Sequence, residues 1–105
     1  MKSISVKELK ELKDNNEEFQ LVDVREEYEY DIANIDGELI PLGDLPDNMD
    51  KIAKDKKVIM QCRSGARSAR AIKFLEENGD FDNLYNLEGG ILAWSDEIDP
   101  SIEKY

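Results

Sequence analysis

The sequence contains one cysteine, Cys62, and the residues around it are typical of an anion-binding loop. An apolar run, Val58 to Met60, predicts a buried strand that leads directly into Cys62. Gly65 predicts a tight loop after the cysteine, and a helix is predicted to begin next. Successive backbone N–H groups in such a loop, and those at a helix start, attract negative charge. We therefore expect a cradle that lowers the pKa of Cys62 and favours the nucleophilic thiolate.

The distribution of charge supports this expectation. Residues 56–75 contain six cations and no carboxylate, whereas the other 85 residues hold all 25 acidic residues and only eight cations. Arg63 and Arg67 fall within the predicted loop, so we expect them to bind anions. Arg70 and Lys73 lie farther along the predicted helix, where a solvated face is the better interpretation. The predicted catalytic residue is Cys62, and the predicted substrate-binding residues are Arg63, Ser64, Gly65, Ala66, Arg67 and Ser68.

An inert core residue is the alternative for Cys62, because free cysteines are often buried. The residues that follow are arginine, serine and glycine, which suit a loop better than a core. The reactive thiol is therefore the favoured interpretation.

The absence of histidine limits the possible chemistry. It removes Ser-His-Asp and Cys-His catalysis, and a lone cysteine without histidine cannot form a structural zinc site. A nucleophile in this chain has to be activated by its electrostatic surroundings. We expect no metal and no cofactor.

Length and net charge define the class of protein. A chain of 105 residues corresponds to one domain, residues 1–105, and a hydrophobic content of 40% is enough for a core. The net charge of −11 argues against binding to nucleic acid or to an anionic membrane. The sequence shows neither a signal peptide nor a transmembrane stretch. A lone thiol fits a reducing compartment, so we expect a cytoplasmic protein.

The predicted helices and strands alternate along the chain. Ser5 and Glu8 form a capping-box pattern that predicts a helix through Leu12. Strands are predicted at 19–24, 38–42, 57–61 and 83–87, and further helices at 26–33, 47–54, 67–78 and from Gly90 through Trp94. This alternation predicts an α/β fold, with a central parallel sheet and helices on both faces. Ligands of such sheets bind at the carboxyl ends of strands, and Cys62 lies at such an end.

Several motifs resemble those of one family. Residues 62–68, CRSGARS, resemble the active-site loop of single-domain rhodaneses. Residues 21–26, LVDVRE, are similar to the family's strand and DVRE segment. Residues 35–37 and 40–42 are similar to its HIPGA…IPL segment, and residues 87–94 to its closing GG…W motif. The resemblance therefore covers nearly the whole chain.

The resemblance implies a rhodanese-like fold and a sulfurtransferase. Cys62 would take sulfane sulfur from thiosulfate or from a protein or thiol persulfide, carry it as a persulfide, and pass it to a nucleophilic acceptor. The N–H groups of residues 63–68 would stabilise the terminal sulfur. Where the family often has Gly-His, this chain has Ala33-Asn34, and we interpret that histidine as structural.

The resemblance also makes Asp23 a candidate for supporting the site, although a strand-end carboxylate that caps the next helix is an equal alternative. Arg25 is interpreted as the structural partner of a nearby acid, and Gly89, Gly90 and Trp94 as turn and packing residues. The segment from Trp94 to Tyr105 is similar to rhodanese domains fused behind adenylyltransferases that activate ubiquitin-like sulfur carriers. A sulfur carrier protein or an adenylyltransferase is therefore a candidate partner, beside a small sulfur-donor anion or persulfide.

Two other functions stay open. Cysteine-dependent phosphatases and arsenate reductases also place a thiolate in an anion cradle, but the phosphatase loop follows the pattern C-x5-R. Here Arg67 gives C-x4-R, and Ser68 stands at the C-x5-R position. The smaller loop suits one persulfide sulfur better than a phosphate. A binding module or sulfur relay without turnover is the second alternative, and the presence of Cys62 argues against a module that merely binds.

Overall fold

A computed structural model describes residues 1–105, and a five-stranded parallel sheet lies at its centre. The strands are β1 (Ser3–Ile4), β2 (Phe19–Asp23), β3 (Glu38–Leu39), β4 (Lys57–Gln61) and β5 (Leu84–Leu87), in the order β1-β5-β4-β2-β3. The α-helices are α1 (Val6–Asp14), α2 (Glu27–Ile32), α3 (Ala66–Asn78) and α4 (Gly90–Glu97). The predicted α/β fold with a parallel sheet is confirmed.

Strand β4 lies in the middle of the sheet because it is apolar on both faces. Val58, Ile59 and Met60 are completely buried, as expected for a strand of a parallel sheet that is covered on both sides. The strand pairs with β2 along one edge and with β5 along the other. Cys62 directly follows this central strand.

Helices cover both faces of the sheet, as predicted. On one face, Leu9 of α1 and Ile91 of α4 belong to the same apolar cluster as Ile59. On the other face, Ile72 of α3 shares a cluster with Met60. The alternation of side chains along β4 therefore divides the core into two layers. None of the helices has the length and apolar composition needed to cross a lipid bilayer.

The capping box of α1 is present as predicted. Ser5 Oγ accepts a hydrogen bond from Glu8 N, and Glu8 Oε1 accepts one from Ser5 N, both at 3.1 Å. These two bonds satisfy N–H groups that have no partner within the helix. The start of α1 was therefore predicted correctly from residues that lie close together in the sequence.

The predicted helix over residues 47–54 is wrong. The chain instead forms two 3-10 helices, Leu42–Asp47 and Met49–Lys51. Pro46 lies inside the first of them and has no N–H to donate to an α-helical ladder. Short 3-10 turns tolerate this and serve as connectors.

The edge strands differ from the prediction as well. The strand predicted over 38–42 is reduced to β3, because the chain turns into the first 3-10 helix after Pro41. Strand β1 was not predicted, because two residues are too few to show the alternation of apolar and polar side chains that indicates a strand. It exists because Lys2 O and Ile4 O accept hydrogen bonds from β5 and the residue after it. Contacts distant in sequence thus set the edges of the sheet.

The N-terminus of α4 holds the loop that follows β4. Ile91 N donates to Cys62 O at 3.0 Å, and Leu92 N donates to Arg63 O at 3.2 Å. Gly90 makes this approach possible, because a Cβ at this position would overlap the carbonyl groups of both loop residues. Its φ of +58° is also one that other residues rarely adopt. Gly90 therefore fixes the distance between α4 and the loop.

We expect Gly90→Ala to lower the free energy of unfolding by on the order of 2 kcal/mol or more, because alanine is strained at positive φ and its Cβ displaces the loop. The same displacement should raise the pH midpoint of Cys62 alkylation by iodoacetamide. Urea unfolding and the pH dependence of alkylation measure the two effects. Gly43→Ala is the control, since a Cβ at Gly43 meets no atom within 4 Å. A Gly90→Ala protein that matches the control in both measurements would contradict this role of α4.

Candidate active site

The sulfur of Cys62 lies beneath the loop that connects β4 to α3. Cys62 is only 1% exposed, yet its sulfur contacts hydrogen-bond donors and not only apolar groups. Gly65 N donates to Cys62 Sγ at 3.1 Å, and Ser68 Oγ lies 3.4 Å from the same sulfur. Gly65 has a φ of +114°, which confirms the tight turn predicted at this glycine. The cysteine is therefore buried, but it is buried in a polar cradle.

The pKa of Cys62 is lowered by this cradle. Burial acts in the opposite direction and raises the pKa, because it disfavours the charged thiolate. Hydrogen bonds from the Ser68 hydroxyl and from the backbone N–H groups of Ser68, Gly65 and Ser64 outweigh the burial. The net shift favours the thiolate, the form that attacks electrophilic sulfur.

Ser68 connects the sulfur to β5. Its hydroxyl lies 3.1 Å from Gly65 O and close to Asn86 Oδ1, and Asn86 Nδ2 donates to Gly65 O at 3.1 Å. A hydroxyl has a single proton, so Cys62 Sγ competes with these two oxygens for it. A thiolate carries a full charge and is the stronger acceptor. Asn86 was not predicted from the sequence, where a polar residue within β5 was its only signal.

Arg67 forms an ion pair with Glu29 of α2. Arg67 Nη1 donates to Glu29 Oε1 at 2.6 Å, and Nη2 donates to Oε2 at 2.8 Å. Chiefly because of Arg67, the pKa of Glu29 falls to about 2 despite the opposing effect of burial. The pKa of Arg67 is raised, first by Glu29 and in part by the Cys62 thiolate. Arg67 was predicted to lie within the loop, whereas in the structure it belongs to the first turn of α3.

Arg63 contacts the C-terminal segment of the chain, residues 98–105, which we call the tail. Its guanidinium lies 5.1 Å from the centre of the Tyr105 ring, within the range of cation–π attraction. Arg63 Nη2 also donates to the main-chain oxygen of Tyr105. This contact joins residues 42 positions apart, and the sequence had no signal for it.

Asp23 lies beside Arg25 in a completely buried ion pair. Arg25 Nη2 donates to Asp23 Oδ2 at 2.7 Å, and Arg25 Nη1 donates to the Tyr105 hydroxyl at 2.9 Å. That hydroxyl in turn donates to Glu29 Oε2 at 2.7 Å. Asp23 is thus linked to Arg67 through three intermediate groups, and it does not cap α2, whose N-cap residue is Glu26.

The other predicted residues lie on the outside of the loop. Ser64 and Ala66 are exposed, and Ser64 contributes its backbone N–H to the cradle. Arg70 and Lys73 are exposed on α3, as expected for a solvated face. Two surface cavities lie next to the tail, and neither is lined by a residue of the loop.

Comparison with known proteins shows which family this chain resembles. A family model described as "Rhodanese-like domain" matches residues 5–97. The chain is 42% identical over 101 residues to "Putative sulfurtransferase YtwF" of Bacillus subtilis (strain 168), covering 95% of this chain and 96% of the relative. It is 31% identical over 119 residues to "Adenylyltransferase and sulfurtransferase MOCS3" of Arabidopsis thaliana, where it matches 97% of this chain but only 25% of the relative.

A solved structure agrees with these relatives. The crystal structure of a rhodanese-like domain protein from Staphylococcus aureus matches with a TM-score of 0.83 and 37% identity. The match covers 100% of this chain and 99% of the other. The fold of this chain is therefore a known architecture.

We expect Ser68→Ala to raise the pKa of Cys62 by about one unit, because the thiolate loses a hydroxyl donor while the backbone N–H groups stay. The measurement is the pH dependence of the rate at which iodoacetamide alkylates Cys62. Ser64→Ala is the matched control, since the Ser64 side chain is exposed and its backbone N–H is unchanged. The role of Ser68 would be wrong if the two variants had the same alkylation midpoint.

Proposed function

This chain belongs to the rhodanese-like family, and we propose that it is a sulfurtransferase that carries sulfane sulfur as a persulfide on Cys62. The observation that carries the proposal is the thiol itself. Cys62 is the only cysteine, and its sulfur accepts a hydrogen bond from Gly65 N in a loop that lowers its pKa. The relative named as a sulfurtransferase, which matches nearly the whole chain, supports the same activity.

The first half-reaction transfers one sulfur atom to Cys62. The Cys62 thiolate attacks the outer sulfur of thiosulfate, or the terminal sulfur of a protein or thiol persulfide. A new S–S bond forms as the S–S bond of the donor breaks, and sulfite or the donor thiolate leaves with the electron pair. In the second half-reaction a nucleophilic acceptor attacks the terminal sulfur, and Cys62 leaves as the thiolate. No oxidant or reductant is consumed overall.

We assign the stabilisation of the terminal sulfur to the backbone N–H groups of residues 63–68. Gly65, Ser64 and Ser68 already direct N–H groups toward the Cys62 sulfur. The persulfide carries the same charge as the thiolate, so the same dipoles serve both states. Arg67 adds a positive charge near the sulfur, while Glu29 keeps its guanidinium in place.

The acceptor that we propose is a nucleophile delivered by a sulfur carrier protein or by an adenylyltransferase partner. This proposal rests on the relative named as both adenylyltransferase and sulfurtransferase, in which a segment similar to this chain accounts for a quarter of the length. Cyanide or a small thiol serves as the acceptor in an assay.

We expect thiosulfate to add one sulfur atom to the protein, and cyanide or a reducing thiol to remove it. Intact-protein mass spectrometry before and after each treatment measures the adduct, and thiocyanate formation measures turnover. Cys62→Ser should abolish both, because the sequence holds no second thiol. Turnover that persists in Cys62→Ser would end the persulfide mechanism. An adduct without turnover would favour the alternative of a relay or binding module.

The phosphatase alternative has a separate test. We expect negligible hydrolysis of an aryl phosphate by the wild-type protein, because Arg67 is held by both carboxylate oxygens of Glu29 and the C-x4-R loop is short. Phosphate release from para-nitrophenyl phosphate is the measurement, with Cys62→Ser as the control. Robust release that depends on Cys62 would show that the loop accepts a tetrahedral anion after all.

A further inference from the structure

The Ser68 hydroxyl has one proton to donate and three acceptors within reach. Its Oγ lies 3.4 Å from Cys62 Sγ, 3.1 Å from Gly65 O and within hydrogen-bond distance of Asn86 Oδ1. Ser68 is completely buried, so these three atoms decide where the proton points.

Gly65 O already has two other donors. Ala69 N donates to it at 3.1 Å, and Asn86 Nδ2 donates to it at 3.1 Å. A carbonyl oxygen has two lone pairs, so these two N–H groups use its capacity. The proton of a hydroxyl can rotate, whereas the N–H groups of the backbone and of the amide are fixed in direction. The proton of Ser68 therefore has two effective acceptors, Cys62 Sγ and Asn86 Oδ1.

Asn86 presents its oxygen to Ser68 because Gly65 O fixes the orientation of the amide. If the amide were turned over, Oδ1 would face Gly65 O, and two acceptors would meet with no proton between them. Ser68 is the one donor that the structure gives to Asn86 Oδ1. Asn86 Oδ1 is therefore ready to accept this proton whenever Cys62 Sγ is the weaker acceptor.

The acceptor strength of Cys62 Sγ changes when the sulfur becomes bonded. In the thiolate Sγ carries a full charge, and hydrogen bonds to ionised acceptors are the stronger ones. In a persulfide Sγ is bonded to a carbon and to a second sulfur, and the charge resides on the terminal sulfur. A neutral divalent sulfur is a weak acceptor. The amide oxygen of Asn86 is then the better acceptor for the Ser68 hydroxyl.

We propose that Asn86 is a positioning residue for the second half-reaction. Its Oδ1 accepts the Ser68 hydroxyl while Cys62 carries the persulfide, and the hydroxyl turns to Cys62 Sγ as the thiolate leaves. The Ser68 O–H bond stays intact throughout, and only its direction changes. This inference rests on the proposed sulfur transfer at Cys62. It assigns to Asn86 and Ser68 the stabilisation of the leaving group, in addition to the backbone N–H groups that stabilise the terminal sulfur.

The first test observes Asn86 directly in the wild-type protein. Asparagine labelled with carbon-13 at its side-chain carbonyl gives an NMR signal that shifts when Oδ1 gains or loses a hydrogen bond, and Asn86→Leu identifies the Asn86 signal. We expect this signal to shift over the pH range in which Cys62 ionises, as measured by iodoacetamide alkylation. After thiosulfate has added one sulfur atom, the signal should return to its position in the thiol protein.

Two controls isolate the hydroxyl from other charges. Ser68→Ala should remove most of the pH-dependent shift of Asn86 and leave only the direct effect of the thiolate charge. Asn83 donates through Nδ2 to carbonyl groups just before β4, away from the loop, so its signal should not follow Cys62. Glu29 has a pKa of about 2 and the pKa of Arg67 is raised, so neither group changes charge near the midpoint of Cys62.

The second test separates the two half-reactions by single-turnover measurements at a pH above the alkylation midpoints. In Ser68→Ala the thiolate is more basic, so its attack on thiosulfate should be unchanged or about threefold faster. The attack of cyanide on the persulfide should be slower, because the departing thiolate has lost a donor. The ratio of the second rate constant to the first should therefore fall by about threefold or more. Ser101→Ala, which changes an exposed serine of the tail, should leave the ratio unchanged.

An Asn86 signal that does not follow Cys62, or that follows it equally in Ser68→Ala, would overturn the inference. The same conclusion would follow from a persulfide protein whose Asn86 signal stays at the thiolate position, or from an unchanged ratio of half-reactions in Ser68→Ala. If thiosulfate adds no sulfur while the Asn86 signal follows Cys62 as expected, the proposed function fails. The competition between Asn86 and Cys62 for the Ser68 proton would then still stand.

Discussion

The candidate site depends on one constraint, which is that the loop after β4 directs its N–H groups inward at a buried sulfur. A backbone that does so turns its carbonyl groups away, and buried carbonyl groups need donors of their own. Ile91 N and Gln61 Nε2 both donate to Cys62 O at 3.0 Å, and Leu92 N donates to Arg63 O. The thiolate is thus stabilised by the loop, and the loop is stabilised by α4. Gly90 permits this arrangement because any side chain there would separate the two.

Neutral dipoles dominate the electrostatics of the site. The chain carries a net charge of −11, so a thiolate stabilised only by distant cations would compete with many carboxylates. Hydrogen bonds from Gly65 N and Ser68 act at short range and are screened less than exposed charges. The ion pair between Arg67 and Glu29 contributes less to the stability of the thiolate than these hydrogen bonds do. These short-range hydrogen bonds explain how an acidic protein can stabilise the Cys62 thiolate.

The family resemblance and the local patterns predicted a large part of the fold. The capping box at Ser5, the buried strand β4 and the positive φ at Gly65 depend on residues next to each other, and all three are confirmed. The predicted helix over residues 47–54 is absent, and short 3-10 helices connect β3 to β4 instead. Strand β1 was missed because it exists only through its pairing with β5. Predictions were correct where neighbours decide conformation and failed where distant segments do.

The same distinction applies to the site. The sequence by itself determined that a single thiol follows a buried strand and precedes a glycine turn and a helix, because local propensities and loop geometry act within a few residues. Only the tertiary structure decided the partners of the arginines. The basic segment 56–75 contains no carboxylate in sequence, yet Glu29 pairs with Arg67 across 38 positions, and Tyr105 contacts Arg63 across 42. Packing of α2 and the tail against the loop brings these groups together, and charge interactions depend on distance in space, whatever the separation along the chain.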